Sequence, residues 1–274
     1  MLNHQASFQI VFDPDDWFAS LTTSLACLRQ SWENEWVGLP EILSVCQRAI
    51  GLLDVHQARS DAINVFALEI ASQIEKNPMP QPYYHNSLHT ADVLVTLTLL
   101  IRMQLSHPKQ SDWQWIACLL ASAIGHDFDH PGGVNRFHSE FETRSSLAMV
   151  GKVDASCMLD EDIDRIQKLI LNTEVGSVAE HHQLVADKDF DWDLPWCTVL
   201  LNEADVLASA TVEFGPSLGH ALAQEFKEAG NEASNTVASP NGRRQFLSSI
   251  RFSSPSAKKL RMPQRVQEQL ALLR

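Results

Sequence analysis

The segment WQWIACLLASAIG, residues 113–125, is apolar on nearly every side of a helical wheel. A helix without a polar face cannot rest on a surface, so other elements have to surround it. This predicts a central helix, capped at its start by Ser111 or Asp112. The same helix runs straight into His126-Asp127, which places two metal-ligating side chains at the end of the most apolar stretch in the chain.

Helical periodicity recurs elsewhere. Phe18, Leu21, Leu25 and Leu28 are spaced by three or four residues, as are Ile63, Phe66, Ile70 and Ile74, until Asn77-Pro78 ends that helix. The proline-rich PMPQP (78–82) reads as a connector. A new helix is expected to begin near Asn86 and to run through LHTADVLVTLTLLIRM. Further helices are marked by Ile163, Ile166, Leu169 and Ile170, by TVLLNEADVLASA (198–210), by residues 216–229, and by VQEQLALLR after Pro263. Residues 1–15 are expected to hold one short strand, SFQIVF, ended by Asp13-Pro14. No βαβ alternation and no internal repeat occur. The fold class is therefore all-α, a compact multi-helix bundle with irregular loops at 128–145 and 231–262. The second loop is polar and expected to be mobile.

Composition limits the functions open to such a bundle. The chain has 274 residues, 45% hydrophobic and 20% charged, enough for one domain with a large core. Its net charge of −13 repels nucleic acid and anionic membrane. A small phosphate ester remains open, provided that a metal supplies local positive charge. The five cysteines, an odd number without a CxxC pair, argue against a disulfide framework and for a reduced, cytoplasmic setting. The N-terminus has no basic region followed by a long apolar run, so no signal peptide is expected, and no apolar run is long enough to span a membrane.

Three segments carry unusual groups. YYHNSLHTADV (83–93) holds His85, Asn86, His89 and Asp92. GHDFDHPGGVNRF (125–137) holds His126, Asp127, Asp129 and His130. The third, inside an apolar helix, holds Asn202, Glu203 and Asp205. Singly, each has a bland explanation. A lone histidine is more often a satisfied core or surface residue, and a lone aspartate faces solvent. Together, His89, His126, Asp127 and Asp205 form a His/His/Asp/Asp set that suits Zn²⁺, Mn²⁺ or Fe²⁺. Adjacent helical residues diverge by about 100°, so His126 and Asp127 can share an ion only at a helix end or break. Gly125 and Pro131-Gly132-Gly133 permit one. Asp127 has a second oxygen for a harder ion such as Mg²⁺. His85, one turn before His89, is placed to protonate a leaving oxygen, and Asp92 to steady neighbouring side chains.

A His, then His-Asp, then a distant Asp resembles the HD metal-dependent phosphohydrolases. YHNxxHxxDV with HDxxHPGxxNxF downstream is narrower and resembles the class I 3′,5′-cyclic nucleotide phosphodiesterases over about residues 60–250. The resemblance implies a compact helical catalytic domain spanning 1–274, with N-terminal helices at 1–80, a metal-site core at 81–250 and a C-terminal segment at 251–274. It implies that His89, His126, Asp127 and Asp205 bind the tighter ion, zinc, and that Asp127 bridges to a second ion, Mg²⁺ or Mn²⁺. His130 would stand behind that second ion. His85 would be the general acid, oriented by Glu225 of AQEFKEAGN. Tyr84, Asn135, Arg243, Gln245 and Phe246 would line the substrate site. The implied reaction is attack of a metal-bridging hydroxide on cyclic AMP or cyclic GMP, giving the 5′-monophosphate.

The sequence also departs from the family. The LExHH expected after the HPG loop is absent from SEFETRSSLAMVGKVDAS (139–156). His181-His182 lie elsewhere and read as surface histidines. The family's purine-holding glutamine, three residues before a phenylalanine, is matched here by Arg243 ahead of Phe246, with Gln245 two positions off; an arginine there would favour guanine acceptors or a second phosphate. The family's asparagine after the metal-binding aspartate is missing. Two alternatives therefore stand beside the cyclic nucleotide esterase. One is another HD phosphohydrolase acting on a cyclic dinucleotide, nucleotide or other phosphate ester. The other is a non-catalytic nucleotide sensor, whose expected mark, a lost ligand or lost His85, is not seen. Oligomeric state is not legible, and the length leaves no room for a large separate sensory domain.

Overall fold

The computed structural model describes residues 8–33, 39–54, 58–77, 79–105 and 111–273, with side chains at 32–33 and 58–59 excepted. The described residues form helices and loops, with no strand among them. In chain order the helices are α1 (Trp17–Glu33), α2 (Ile42–Leu53), α3 (Ala58–Lys76), α4 (Ser87–Gln104), α5 (Trp113–Gly125), α6 (Glu140–Lys152), α7 (Asp160–Leu171), α8 (Val178–Leu184), α9 (Leu194–Ala210), α10 (Gly215–Glu228), α11 (Ser234–Val237), α12 (Pro240–Ser249), α13 (Pro255–Lys259) and α14 (Met262–Leu272).

Helix α5 is central, as its all-round apolarity requires. It packs on α3, α7, α4, α9 and α6, and every residue from Ile116 to Gly125 is buried. Asp112 is its cap, with Oδ1 accepting from Gln114 N at 3.0 Å and Trp115 N at 3.2 Å. Such a cap contributes about 1 kcal/mol. A second helix is equally enclosed. Helix α4 lies against α1, α2, α5, α9 and α13. It starts at Asn86, whose Oδ1 accepts from Leu88 N (2.8 Å) and His89 N (3.3 Å). Three enclosed elements thus meet: the N-terminal turn of α4, the C-terminal end of α5 and the middle of α9. That junction positions the site.

Two expectations need correction. The strand expected at SFQIVF is not one. Ser7 lies outside the described residues, and 8–12 run without a partner strand. Their backbone is satisfied by serines of α1, which accept from Val11 N (Ser24 Oγ, 2.8 Å) and Asp13 N (Ser20 Oγ, 2.8 Å). The loop expected at 231–262 is mostly helical. Ser239-Pro240 and Ser254-Pro255 are cap-and-first-turn pairs that start α12 and α13 (Gly242 N to Ser239 Oγ, 3.1 Å; Ala257 N to Ser254 Oγ, 3.0 Å). Polar composition there reflects caps and exposed faces. The first irregular segment, 128–145, is shorter than expected, because α6 begins at Glu140 with two acidic residues in its first turn.

All five cysteines are free. No helix among the described residues is long and apolar enough to cross a membrane.

Candidate active site

Helix α5 ends at Gly125, so His126 and Asp127 leave it on a tight turn closed by Phe128 N to Gly125 O (3.1 Å) and His130 N to Asp127 O (3.0 Å). The helix end allows neighbouring side chains to point at one place. His89 comes from the first turn of α4 and Asp205 from mid-α9. His89 Nε2 lies 3.3 Å from His126 Nε2, 3.3 Å from Asp127 Oδ2 and 3.0 Å from Asp205 Oδ1. His126 Nε2 lies 3.2 Å from Asp127 Oδ2 and 3.6 Å from Asp205 Oδ1. Ligands bound to one ion at 2.0–2.2 Å in a tetrahedron stand about 3.3–3.6 Å apart. Three of the groups, His89, His126 and Asp127, lie within reach of a single ion, and Asp205 approaches it from the side of the two imidazoles.

The protonation pattern fits a cation too. His126 Nδ1 donates to Ala123 O (2.9 Å), which turns Nε2 toward the cluster. Asp127 Oδ2 is buried and accepts no hydrogen bond, although two imidazoles stand beside it. Burial disfavours charge on all four groups, but their mutual attraction outweighs it. Asp127 and Asp205 hold His89 up at about 9 and raise His126, while the two imidazoles hold both carboxylates well below their usual range. The place between the four is thus strongly favourable for positive charge.

His85 stays off this cluster. Its Nδ1 lies 2.6 Å from Glu225 Oε1. Glu225 Oε1 also accepts from Gly133 N (3.0 Å), and its Oε2 accepts from Tyr84 N (2.8 Å) and His85 N (3.0 Å). Four donors thus converge on one carboxylate. Burial opposes its charge, but the hydrogen bonds prevail and hold it down at about 2. The close approach of the loop depends on Gly132 and Gly133, with φ of +82° and +95°; a Cβ on Gly132 would stand 3.3 Å from Glu225 Cγ. His130 stacks on His85 with centroids 3.9 Å apart and accepts from Gly132 N at Nδ1 (3.1 Å). Burial and the His85 ring push His130 down to about 4, so it is neutral near pH 7.

The expected substrate residues are not gathered in the same way. Tyr84 packs against His89 (centroids 4.7 Å) and hydrogen-bonds Ser209 Oγ at 3.0 Å. Asn135 is tied to the first turn of α6, donating to Glu142 Oε2 (2.9 Å) and accepting from Phe141 N (2.9 Å). Gln245 is exposed and Phe246 half-buried. Arg243 needs correction. Its guanidinium binds Ser209 O, Thr211 O (3.0 Å) and Gln269 Oε1 (2.7 Å), capping the end of α9. A guanidinium tied to three protein oxygens is not positioned for a purine. Gly215 makes room for it, since a Cβ there would collide with Arg243 Nη1.

The third segment splits three ways, as 100° per residue requires. Asp205 faces the cluster. Asn202 donates to Asn172 O (2.9 Å), and Glu203 accepts from Ser254 N (2.7 Å) in the core. Asp92 pairs with Arg29. His181 is half-buried, but His182 is buried, with Nδ1 2.8 Å from Ser253 Oγ, so the pair is not a surface pair. Ser209, behind Tyr84, and Gly133, donating to Glu225, were missed. The HPGG glycines were the available signal for the second; nothing local marked the first.

The helical bundle thus joins two histidines and two aspartates beside a carboxylate-held histidine. Residues 84–158 match the family model for 3′5′-cyclic nucleotide phosphodiesterase. A human dual specificity calcium/calmodulin-dependent 3′,5′-cyclic nucleotide phosphodiesterase 1B is 34% identical over 111 residues, 40% of this chain and 19% of that protein. The Bos taurus protein of the same name is 33% identical over the same shares. The chain thus spans about a fifth of the length of these curated relatives. Among solved structures, LmjPDEB1 in complex with IBMX superposes with a TM-score of 0.64 at 14% identity, over 96% of this chain and 98% of that one. The phosphodiesterase domain of Salpingoeca rosetta rhodopsin phosphodiesterase gives 0.62 at 16% identity, over 97% and 95%. The chain is similar in sequence to the class I cyclic nucleotide phosphodiesterases, and its fold is that of their catalytic domain.

Proposed function

We propose that this chain hydrolyses a 3′,5′-cyclic nucleotide to the 5′-monophosphate. The observation that carries the reading is the convergence of His89, His126, Asp127 and Asp205 beside a His85 held by Glu225. His89, His126, Asp127 and Asp205 would hold one divalent ion, and the two-nitrogen, two-carboxylate donor set favours zinc. The second carboxylate oxygen of Asp127 would serve a harder ion, Mg²⁺ or Mn²⁺. Bound there, such ions supply Lewis acidity at the phosphoryl oxygens and a nucleophilic water near neutral pH.

The chain's own groups do the rest. Glu225 holds the His85 ring through Nδ1, which leaves Nε2 as the atom from which a proton would pass to the departing 3′ oxygen. Neutral His130, stacked on that ring, sets its plane without competing as an acid. Helices α1–α3 and α13–α14 belong to the same catalytic domain in this reading, and the setting is the cytoplasm. One observation keeps a wider range of phosphate esters open: Arg243, at the position where the family reads the purine, is tied to the end of α9.

The test is turnover of cyclic AMP and cyclic GMP by protein loaded with Zn²⁺ and Mn²⁺. Formation of the 5′-monophosphate from at least one is expected. Protein that demonstrably binds metal and turns over neither overturns the reading. A His85→Ala variant is expected to keep its metal and lose turnover.

A further inference from the structure

The two imidazoles of the cluster are oriented by different means. His126 is turned by the hydrogen bond from its Nδ1 to Ala123 O. His89 has no such tether: among the described residues no hydrogen bond engages its Nδ1. Its ring packs instead against Tyr84, with centroids 4.7 Å apart and planes at 33°. A metal-ligating imidazole is ordinarily held by a hydrogen bond to its second nitrogen. A ring contact can replace that bond only if the contacting ring is itself fixed, because an aromatic side chain otherwise turns about its own torsions.

Tyr84 is fixed at both ends. Its backbone N–H donates to Glu225 Oε2 (2.8 Å), and its hydroxyl lies 3.0 Å from Ser209 Oγ. The same ring meets His85 edge-on, with centroids 4.9 Å apart. Ser209 is buried in the last turn of α9, four residues beyond Asp205 and so on the same helix face. Its carbonyl is in turn held by the Arg243 guanidinium. A chain of contacts thus runs from Arg243 through Ser209 and Tyr84 to His89.

We propose that Ser209 is a positioning residue of the metal centre: it pins the Tyr84 hydroxyl, and the pinned ring sets the plane of His89 toward His126, Asp127 and Asp205. The inference rests on the metal-centre part of the hydrolase reading and adds a residue to it. Ser209 touches neither the ion nor the substrate and acts through Tyr84. Without its hydroxyl, the Tyr84 ring is free to turn and His89 loses its orienting contact. The site then binds its ion less tightly while the helices stay in place.

Zinc affinity, measured by competition with a chromophoric chelator, tests this. Ser209→Ala is expected to bind zinc about tenfold or more less tightly, the range for losing a group that orients a metal ligand. Tyr84→Phe removes the other half of the same hydrogen bond and is expected to lose as much. The double variant is expected to lose no more than either single one, because all three lack one and the same bond. The visible absorption of Co²⁺-loaded protein is expected to change in Ser209→Ala, which reports the ligand geometry directly. Unchanged zinc affinity in Ser209→Ala, or losses that add in the double variant, overturn the inference and leave the hydrolase reading in place. A tenfold loss shared by the three variants, with no turnover of cyclic AMP or cyclic GMP by the metal-loaded parent, overturns the hydrolase reading and leaves the role of Ser209 standing.

Discussion

Glu225 and His85 are 140 positions apart, yet Glu225 Oε1 lies 2.6 Å from His85 Nδ1 while its Oε2 takes the backbone N–H of Tyr84 and of His85 itself. One carboxylate therefore holds both the ring and the peptide that carries it.

Replacing Glu225 by Gln keeps the shape and removes the charge. The amide offers one acceptor oxygen where four donors converge. A loss of about 10²-fold in kcat is expected, in the range of general-acid effects, with metal content unchanged. Steady-state kinetics with metal analysis checks this; a variant with full kcat contradicts the orienting role.

Arg29 and Asp92 form a two-pronged pair, with distances of 2.7 and 2.6 Å, and the Asp92 side chain is 2% exposed. Burial raises the Asp92 carboxyl despite its partner, so the pair does not fully offset desolvation. Arg29→Met leaves a buried, unpaired carboxylate and is expected to cost about 3–5 kcal/mol. The double variant Arg29→Met, Asp92→Leu is expected to recover most of that loss. Urea unfolding of the three proteins decides it, and an unrecovered double variant refutes the desolvation argument.

His182 gives a pH signature. Burial, with His181 and Arg251 nearby, pushes it down to about 4, and its Nε2 is buried without a partner. The unfolded chain protonates this histidine near pH 6.5, whereas the fold refuses the proton until about pH 4. Stability from this group is therefore full above pH 6.5 and is lost as pH falls toward 4, by about 3 kcal/mol in all. His182→Gln is expected to flatten that part of the stability–pH curve. An unchanged slope between pH 6.5 and 4 contradicts the assignment.

Arg243 ties α9 to α14 through Ser209 O, Thr211 O and Gln269. Arg243→Gln cannot span the three oxygens and leaves buried acceptors unmatched, at a cost of about 1–3 kcal/mol. The ratio of cyclic AMP to cyclic GMP turnover is expected to stay within about twofold. A large change in that ratio, without loss of stability, returns Arg243 to the base site.

Most of the helices were legible because amphipathic periodicity and caps are local. Asp112 and Asn86 announced α5 and α4, and the length of apolar surface on 113–125 placed that helix centrally. The buried run of α4 was less obvious, because its threonines and His89 interrupt the apolar pattern while facing the core. The serine-proline caps of α12 and α13 were present in the sequence but were masked by the polarity of their exposed faces.

The sequence by itself determined the helical class and the inventory of ligand-type side chains: His89 one turn into a helix, His126-Asp127 at the end of another, Asp205 in an apolar third. Spacing along a helix decides which face a residue occupies, and that much is local physics. Only the tertiary structure decided which faces meet. It brought Asp127 and Asp205 each to 3.0–3.6 Å from the two imidazoles of His89 and His126, seated Glu225 under His85, sent Glu203 into the core and tied Arg243 to a helix end. Those outcomes depend on where helices cross and which backbone carbonyls are left unpaired, and no stretch of sequence carries either.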